Sequence, residues 1–396
     1  MLKGKTILIG VTGSIAAYKT AYLCSMLKKQ GAEVHVLLTK NGEKFVGSAT
    51  FEALTHTPCL TDTFDQRVLP DIPHITLAEK ADFMLIAPAS ADFIGKLAGG
   101  IADDMLTTCV LACQCKKMLA PAMNTNMFAN PIVQENIQKL QRFGYTIIDP
   151  AVGYLACGTV GTGKMPEPEF LYDCIFRELF PKKDLIGKKI LVTAGATIEP
   201  IDPVRYITNH SSGKMGCAVA RAAMLRGAEV TLIAGKIETE IPPFVDTVHI
   251  TSAKQMREAV VAKAKDMDII IKAAAVADYA PASVAPEKIK KKDGTLTLEL
   301  ERNPDILKEL GEQKKAGQIL CGFAMETQNL VENAREKLNS KNLDIIAANS
   351  LRMEGAGFGG DTNVLTLLTK DGMKSLPKMS KFDAAMCLLD EILLLS

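Results

Sequence analysis

The stretches KGKTILIGVTGS (residues 3–14) and IGKKILVTAGAT (residues 186–197) share one pattern. Each has a basic lead-in, a short apolar run rich in β-branched residues, and a glycine-containing turn before sequence typical of a helix. The first strand and turn of a parallel α/β sheet have this pattern. Because it occurs twice, it predicts two α/β domains, 1–181 and 182–396, with the polar segment PKKDLIGKK (181–189) at their boundary.

Further apolar runs follow each stretch and alternate with helical sequence. In the first part they are AEVHVLL (32–38), DFMLIAPA (82–89), KKMLAPAM (116–123) and YTIIDP (145–150). In the second part they are EVTLIAG, DIIIKAAAVA, QILCGFA, DIIAANS and NVLTLLT, and the last segment, KFDAAMCLLDEILLL, is an amphipathic helix. Strands that alternate with helices predict parallel, doubly wound sheets, so the fold class is α/β with two Rossmann-like domains. Ligands of such sheets bind at the carboxyl ends of the strands.

The composition is that of an ordinary soluble globular protein. The chain has 396 residues, of which 47% are hydrophobic and 23% charged, enough for two domains. Its formal net charge of +1 creates no global field that would attract nucleic acid or an acidic membrane. No apolar run reaches the roughly eighteen residues of a membrane span, and no signal-peptide pattern is present. We therefore expect a cytoplasmic protein with neither nucleic acid nor a membrane as its partner.

The ten cysteines and five histidines do not suggest a metal centre. Cys109, Cys113 and Cys115 lie close together in the apolar run TTCVLACQC, but no second pair of Cys or His follows at zinc-finger spacing. The histidines are isolated from one another along the chain. This pattern favours buried, inert thiols over a metal site.

The segment YITNHSSGKMG (206–216) resembles a phosphate-binding P-loop only in part. A P-loop requires glycine where this chain has Thr208, and Ser or Thr where it has Met215. We interpret the segment instead as the N-terminus of a helix beginning near Gly213, which offers N–H groups and the Lys214 cation to an anion.

Several loops of the first part carry polar groups directly after predicted strands. The turn VTGSIAAYK lacks a dinucleotide fingerprint, although Gly13 and Ser14 at a helix N-terminus can bind one phosphate. APASADF (87–93) and LAPAMNTNMF (119–128) follow later strands. DPAVGYLACGTVGTGKMPEP (149–168) has too little apolar content for a core element, which predicts a long loop of the lid type.

The set GSIAAYK, PASAD, a histidine (His74) at the start of a predicted helix, PAMNTNM and ACGTVGTGKM resembles the flavin-dependent cysteine decarboxylases. The second part resembles phosphopantothenate–cysteine ligase. Together they resemble the family of bacterial bifunctional coenzyme A biosynthesis proteins, from about residue 5 to the C-terminal helix. The resemblance implies an N-terminal flavodoxin-like domain that binds FMN and a C-terminal nucleotide-binding ligase domain. The chain departs from the family at Phe128, where Trp or Tyr is usual, and at Lys164, where Arg is usual.

The resemblance also implies the chemistry of the first part. An N-acylated cysteine cannot lose CO2 directly, because the electrons left behind need an acceptor. If FMN oxidises the thiol to a thioaldehyde, the sulfur accepts those electrons, and the resulting enethiol is then reduced and protonated. By the resemblance, Cys157 supplies the proton, Asn124 holds the carboxylate and His74 serves oxidation and decarboxylation. The residues it implies for FMN binding are Gly13, Ser14, Thr39 and Ser90. Taken singly, Cys157 would be an inert thiol, Asn124 would form an Asx-turn and His74 would cap a helix.

For the second part, the resemblance implies that CTP converts 4′-phosphopantothenate into an acyl-cytidylate, which the amine of cysteine then attacks. Asn209 matches the residue that stabilises this intermediate, and Lys288 in APEKIKKKDG (285–294) matches the catalytic lysine. The nucleotide-binding residues so implied are Asp278, Lys288, Asn303, Pro304, Asp305, Ile306, Phe323, Lys337 and Lys341. Taken singly, Asp278 would be a surface cap, Lys337 and Lys341 an exposed helical pair, and Lys291 and Lys292 a solvated face. Mg2+ is expected through phosphate oxygens and water, with no dedicated protein ligands.

Two other functions stay open at this point. One is a generic flavin- or NAD(P)-dependent reductase, against which the missing G-x-G-x-x-G counts. The other is a flavin-binding regulatory or assembly subunit without catalysis, against which the intact His74, Asn124, Cys157, Asn209 and Lys288 count. The resemblance further implies a homo-oligomer with trimeric flavin domains and dimeric ligase domains.

Overall fold

The computed structural model describes residues 2–64, 72–156, 158–291, 295–326, 328–350, 357 and 359–395. The chain divides into two compact units, Met1–Leu179 and Phe180–Ser396. No helix within the described ranges is long and apolar enough to cross a membrane.

The first unit contains a five-stranded parallel sheet in the order β2-β1-β3-β4-β5. Its elements are β1 (Thr6–Val11), α1 (Ala17–Lys29), β2 (Glu33–Leu38), α2 (Lys40–Glu43), α3 (Ser48–Thr55), α4 (Pro73–Lys80), β3 (Phe83–Ala89), α5 (Ala91–Ala98), α6 (Met105–Ala112), β4 (Lys116–Pro121), α7 (Thr125–Phe128), α8 (Pro131–Arg142), β5 (Thr146–Ile147), β6 (Ala151–Tyr154), β7 (Val160–Lys164) and α9 (Pro168–Leu179). Helices α1, α3 and α9 pack together, and α4, α5, α6 and α8 form a second group. This is the flavodoxin-like order of a doubly wound fold, as predicted.

The sequence explains why these strands form. β1 is buried along its whole length, because a parallel strand covered on both faces needs a continuous apolar run. α1 ends two residues before Gly31, which adopts a φ of +86° and confirms the predicted stop. α4 begins at Pro73, whose fixed φ and missing N–H suit the first helical position, and His74 follows it as predicted.

The second unit contains an eight-stranded sheet in the order β12-β11-β8-β13-β16-β17-β19-β20. Its elements are β8 (Lys189–Ala194), β9 (Ile198–Pro200), β10 (Tyr206–Thr208), α10 (Lys214–Leu225), β11 (Glu229–Ala234), β12 (Asp246–His249), α11 (Ala253–Ala264), β13 (Ile269–Lys272), β14 (Tyr279–Pro281), β15 (Leu300–Arg302), α12 (Ile306–Gln313), β16 (Ile319–Glu326), α13 (Leu330–Ser340), β17 (Ile345–Ser350), β18 (Thr362–Asn363), β19 (Thr366–Thr369), β20 (Met373–Ser375), β21 (Met379–Ser380) and α14 (Lys381–Leu393). The six strands from β12 to β17 are parallel and follow the Rossmann order 3-2-1-4-5-6. The predicted strand NVLTLLT forms β19, which is antiparallel to β17.

Three segments that lack strand periodicity form short antiparallel hairpins. β6 pairs with β7 inside the predicted lid loop, and β9 pairs with β10 inside the segment before α10. β14 pairs with β15 on either side of the lysine-rich segment. The prediction of a long loop over 149–168 was therefore wrong where the β6–β7 hairpin forms. Hairpins of this kind bury little apolar surface, so hydrophobic periodicity does not reveal them.

Candidate functional sites

A cavity of about 960 Å3 lies at the carboxyl ends of the strands of the first unit. It opens where the strand order reverses between β1 and β3, which is the position where doubly wound sheets bind ligands. Five residues predicted from the sequence line this one cavity: Gly13, Ser14, Thr39, Ser90 and Asn124. They come from four different loops, so only the fold brings them together.

Thr12, which sequence analysis did not select, connects two of these loops. Its buried hydroxyl donates to the carbonyl of Pro88 at 2.7 Å and accepts the N–H of Ser90 at 2.9 Å. The turn after β1 is thereby joined to the turn after β3. A buried threonine directly before a Gly-Ser turn was the available signal, but hydroxyls at strand ends are common.

The walls of the cavity approach one another closely at Gly13. A Cβ atom at this position would lie 2.6 Å from Cβ of Asn41, so no side chain fits there. Ser90 caps α5 by accepting the N–H of Phe93 at 3.3 Å, and Thr39 caps α2 by accepting that of Gly42 at 3.1 Å. The N-termini of α1 and α5 thus open on the cavity, and helix N-termini favour anionic groups.

Asn124 is positioned by the β6–β7 hairpin. Gly163 has a φ of +140°, and a Cβ atom there would lie 2.2 Å from the carbonyl oxygen of Met123. The N–H of Met123 donates to the carbonyl of Gly163 at 3.1 Å, which holds the hairpin against the start of α7. Asn124 also forms the Asx-turn considered above, because its Oδ1 accepts the N–H of Asn126 at 2.8 Å. The Asx-turn of Asn124 is therefore itself part of the cavity wall.

Two lysines of the cavity share one carboxylate. The buried Lys19 approaches Oε1 of Glu167 at 2.8 Å and the carbonyl of Met165 at 3.4 Å. Lys164, where the family usually has arginine, lies 3.1 Å from the same Oε1 atom. Hydrogen bonds from Lys19 and then Lys164 lower the pKa of Glu167. The carboxylate stays ionised and fixes both cations at the rim.

The structure does not place His74 or Cys157 directly in the lining of this cavity. Within the described residues, His74 is not part of the cavity lining, and its buried Nδ1 atom has no hydrogen-bond partner there. A buried ring nitrogen without a partner costs free energy of folding, so it requires an explanation. Cys157 lies outside the described residues, but its chain neighbours Leu155 and Ala156 line the cavity.

In the second unit, the loops after β8, β11 and β13 meet at the carboxyl ends of these strands. Thr193 accepts the N–H of Ala274 at 3.1 Å, and Thr197 accepts that of Ala277 at 3.0 Å. Gly195 has a φ of +85°, and a Cβ atom there would lie 2.4 Å from the carbonyl oxygen of Lys236. Both threonines are fully buried, and sequence analysis selected neither of them.

The loop after β13 brings three predicted residues together. Nδ2 of Asn209 donates to the carbonyl of Ala275 at 3.2 Å. The N–H of Asn303 donates to the carbonyl of Asp278 at 2.8 Å, and its Nδ2 donates to that of Ala277 at 2.9 Å. Asn209 and Asn303 therefore both contact the segment 275–278, which contains Asp278, although the three residues are far apart in the sequence.

Asp202 attaches the lysine-rich segment to the loop before α10. Its carboxylate accepts the N–H groups of Val204, Arg205 and Ile289 at 2.8, 2.8 and 3.1 Å. Burial alone would raise the pKa of Asp202, but these hydrogen bonds and the one from the Arg205 side chain outweigh it and lower the pKa to about 2. Because Ile289 directly follows the exposed Lys288, Asp202 determines where this lysine is held. Sequence analysis did not select Asp202.

Two lysines near α12 and α13 that were predicted to bind the nucleotide are paired with carboxylates. Lys341 lies 2.9 Å from Asp305, and Lys337 lies 2.6 Å from Glu326. Asp305 also caps α12 by accepting the N–H of Lys308 at 3.0 Å. Phe323 is half-buried in β16. Lys337 and Lys341 are half-buried and ion-paired, which differs from the exposed helical pair considered from the sequence alone.

The remaining nucleotide-site predictions lie around the same helix and the lysine-rich segment. A depression of about 320 Å3 is lined by six residues: Arg257, Pro304, Asp305, Lys308, Glu309 and Glu312. Ile306 is buried as the first residue of α12. Lys291 is exposed, and Lys292 lies outside the described residues.

The prediction for Lys214 needs correction. Its ammonium group donates to Oδ1 of Asp361 at 2.6 Å and to the carbonyl of Gly359 at 3.0 Å. Lys214 at the start of α10 is thus paired with a carboxylate and is not available to another anion unless this ion pair separates. Gly213, with a φ of +77°, is the N-cap of α10, as expected from the sequence.

Lys272 is a buried cation that no sequence pattern indicated. It ends β13, directly before the loop that contains Asp278, and it is 6% exposed. Nζ contacts Sδ of Met256 at 3.5 Å, a weak acceptor. Burial lowers the pKa of Lys272 to about 7, although the charge of Asp305 opposes this change.

Two family models match the chain. The model described as Flavoprotein covers residues 1–180, and that of the DNA/pantothenate metabolism flavoprotein C-terminal domain covers residues 185–395. The coenzyme A biosynthesis bifunctional protein CoaBC of Bacillus subtilis (strain 168) is 48% identical, over 100% of this chain and 98% of its own length. The protein of the same description from Escherichia coli (strain K12) is 42% identical, over 99% and 97%. A crystal structure of the C-terminal domain of a CoaBC protein is 44% identical, covering 53% of this chain and 96% of that chain, with a TM-score of 0.46.

Proposed function

The chain belongs to the family of bifunctional coenzyme A biosynthesis proteins, and we propose that its two units catalyse consecutive reactions. It is an enzyme with phosphopantothenate–cysteine ligase and phosphopantothenoylcysteine decarboxylase activities. The second unit joins 4′-phosphopantothenate to cysteine, and the first unit decarboxylates the product to 4′-phosphopantetheine. The observation that carries the proposal for the first unit is the cavity at the β1/β3 switch point, lined by residues of four separate loops.

The residues of this cavity fit an FMN molecule. The hydroxyls of Ser14, Thr39 and Ser90 can donate to its phosphate and ribityl chain, and the N-termini of α1 and α5 favour the phosphate charge. When bound, FMN would supply the two-electron oxidation of the substrate thiol and its later reversal. Asn124, held by Gly163, would orient the carboxylate that leaves as CO2.

We assign Cys157 to protonation of the enethiol and His74 to the oxidation and decarboxylation steps. The neighbours of Cys157 that line the cavity support the first assignment. For His74, the support is its buried Nδ1 atom, which lacks a partner within the described residues and suits a side chain that acts on a further group.

In the second unit, CTP would activate the carboxylate of 4′-phosphopantothenate. Lys288 would stabilise the charge that develops during transfer of the nucleotidyl group, and Asn209 would hold the acyl-cytidylate by hydrogen bonds. Asp278, Asn303, Pro304, Asp305, Ile306, Phe323, Lys337 and Lys341 would surround the nucleotide. Support comes from the contacts of Asn209 and Asn303 with residues 275–278. Within the described residues no group of three or more His, Cys, Asp or Glu side chains could hold a metal ion, and Mg2+ would enter bound to the triphosphate.

We further propose a homo-oligomer with trimeric flavin units and dimeric ligase units, in the cytoplasm. Ile15, Tyr18 and Tyr22 lie three to four residues apart on and just before α1 and are 55%, 61% and 54% exposed, an apolar stripe that a second copy could cover. The nine described cysteines are free thiols, which suits a reducing compartment.

Pyrophosphate release tests the ligase assignments. We expect Asn209→Ala to form acyl-cytidylate and release pyrophosphate while coupling cysteine poorly, because an amide contributes no charge to the triphosphate step. Lys288→Gln should also lose pyrophosphate release, since a cation is then missing where negative charge develops. The full chain is incubated with CTP, Mg2+ and 4′-phosphopantothenate, with and without cysteine, and each product is followed by mass spectrometry.

Lys291→Gln is the matched control, because it removes an exposed cation three residues from Lys288. All variants should decarboxylate supplied 4′-phosphopantothenoylcysteine at the wild-type rate. Wild-type coupling in both Asn209→Ala and Lys288→Gln would contradict the site assignment, and absence of both activities from the wild-type protein would contradict the proposed function.

A further inference from the structure

Two cysteines that the proposed reactions do not use lie in contact in the first unit. Cys113 directly follows α6, Cys115 directly precedes β4, and their Sγ atoms are 3.1 Å apart. The sequence predicted inert, buried thiols here. Cys113 is indeed buried, but Cys115 is only half-buried, so solvent reaches one member of the pair. The pair lies at the amino end of β4, whereas the cavity lies at the carboxyl ends of the strands.

The backbone explains why the two thiols meet. Cys113 is extended, with φ −74° and ψ 133°, and side chains two residues apart in an extended chain point to the same side. The Sγ atoms accordingly meet across the single residue Gln114. Two residues span at most about 7 Å, and disulfides join Cα atoms that are roughly 4.4–6.8 Å apart, so a Cys-X-Cys pair lies close to the range of a disulfide.

The surroundings favour one shared proton and one negative charge. The hydrogen bond from Cys115 lowers the pKa of Cys113 to about 6 against the effect of burial, and the charge of Lys117 lowers it further. The pKa of Cys115 is raised by the same contact. The other titratable groups close by are Tyr145, whose ring lies 5.5 Å from the Lys117 ammonium, and Cys109, one turn earlier in α6. Burial raises the pKa of Cys109 to about 12, so this thiol stays protonated.

We propose that Cys113 and Cys115 form a redox-active dithiol, which small-molecule disulfides oxidise reversibly to an intramolecular disulfide. Cys115, the accessible sulfur, first passes its proton to the Cys113 thiolate and then attacks an external disulfide RS–SR as a thiolate. This attack forms a mixed disulfide at Cys115 and releases RS−. Cys113 then transfers its proton to a released thiolate and attacks Sγ of Cys115, which forms the Cys113–Cys115 bond and releases the second RS−. In total, one dithiol and one RSSR become one protein disulfide and two RSH.

Oxidation would also change a contact with α4, the helix that contains His74. Sγ of Cys113 donates to the carbonyl of Ala78 at 3.7 Å, and a disulfide sulfur has no proton to donate. The dithiol is therefore connected to the position of α4 through a contact that requires a proton on Cys113 and that the disulfide cannot make.

The test uses the full-length protein with its flavin, equilibrated in reduced and oxidised glutathione of varied ratio. Remaining thiols are blocked with N-ethylmaleimide, and the protein is digested with trypsin. Cleavage after Lys96 and Lys116 yields one peptide, 97–116, that contains Cys109, Cys113 and Cys115. We expect a form of this peptide with one maleimide, on Cys109, and with two hydrogens fewer than the dithiol form. Dithiothreitol should convert it fully to the form with three maleimides.

Cys109→Ser is the matched control, since it removes the neighbouring thiol and should leave the disulfide in place. Cys113→Ser and Cys115→Ser should each abolish it. In the reduced wild-type protein, the pH dependence of alkylation within the pair should have its midpoint near 6, rather than near the roughly 8.5 of an ordinary thiol. Flavin absorbance reports whether each variant is folded. A peptide without the two-hydrogen loss at every glutathione ratio, or a disulfide that persists in Cys113→Ser, would overturn the proposal.

Discussion

Replacing Lys272 by methionine should stabilise the second unit in a way that depends on pH. Methionine keeps the unbranched shape that packs beside Met256 but removes the amine. The described contacts of this amine include no oxygen acceptor, and its side chain is almost fully buried. A buried ammonium without a hydrogen-bonded partner is among the least favourable groups in a protein interior.

The magnitude follows from the pKa of Lys272, which falls from its ordinary value of 10.5 to about 7 in the folded protein. At roughly 1.4 kcal/mol per pKa unit, this difference corresponds to about 5 kcal/mol. Between pH 7 and 10.5 the unfolded chain binds the proton that the folded chain has lost. The stability of the wild-type unit therefore rises with pH across this window and is lowest at and below pH 7. We expect Lys272→Met to gain about 3–5 kcal/mol at pH 7 and almost nothing near pH 10.5.

Hydrogen exchange measured by mass spectrometry on peptides spanning β13 reports the free energy of opening of this unit between pH 6 and 9. The matched control is Lys254→Met, which removes an exposed lysine from α11, the helix that contains Met256. Flavin release measures unfolding of the first unit, and we expect it to be unchanged in both variants. If the pH slope of the opening free energy is the same in wild type and Lys272→Met, then Lys272 is charged when folded, and the reasoning from burial is refuted.

Three further predictions concern the two sites. Gly163→Ala should lower decarboxylase activity at least about tenfold, because its Cβ would lie 2.2 Å from the carbonyl oxygen of Met123. Gly153→Ala in the same hairpin has space for a Cβ and should match the wild type, and equal loss of activity in both variants would contradict this account of Asn124. Asp202→Asn should slow ligation about tenfold and leave decarboxylation unchanged, because an amide replaces the carboxylate that binds the N–H of Ile289 beside Lys288. A normal rate of ligation would exclude this positioning role. Cys157→Ser should still release CO2 from 4′-phosphopantothenoylcysteine and accumulate a product two hydrogens lighter than 4′-phosphopantetheine; mass spectrometry that finds only 4′-phosphopantetheine, formed at the wild-type rate, would remove Cys157 from the mechanism.

Most strands of the two sheets could be predicted from the sequence, but β12 and β20 at the edges of the second sheet were not. Central strands such as β1 and β8 are buried on both faces, so each needs an apolar run that can be recognised without knowing its neighbours, whereas the largely accessible β12 has no such run. Helix ends could also be recognised from local sequence, because the ends marked by Gly31 and Gly213 each depend on one residue that tolerates positive φ. The same locality makes Gly13, Ser14 and Asn124 recognisable, since each belongs to a short motif.

The tertiary structure alone decided which groups hold these motifs and which charges are already paired. Thr12, Asp202 and Lys272 belong to no motif, and their importance comes from partners that are distant in sequence: Pro88, Ile289 and Met256. The pairing of Lys214 with Asp361 across 147 residues is of the same kind. Hydrogen bonds and burial act through space over a few ångströms, whereas a sequence pattern records only separation along the chain. The sequence therefore determined the main strands and helices and indicated the candidate reacting groups, and the fold determined the partners and charge states of the polar residues.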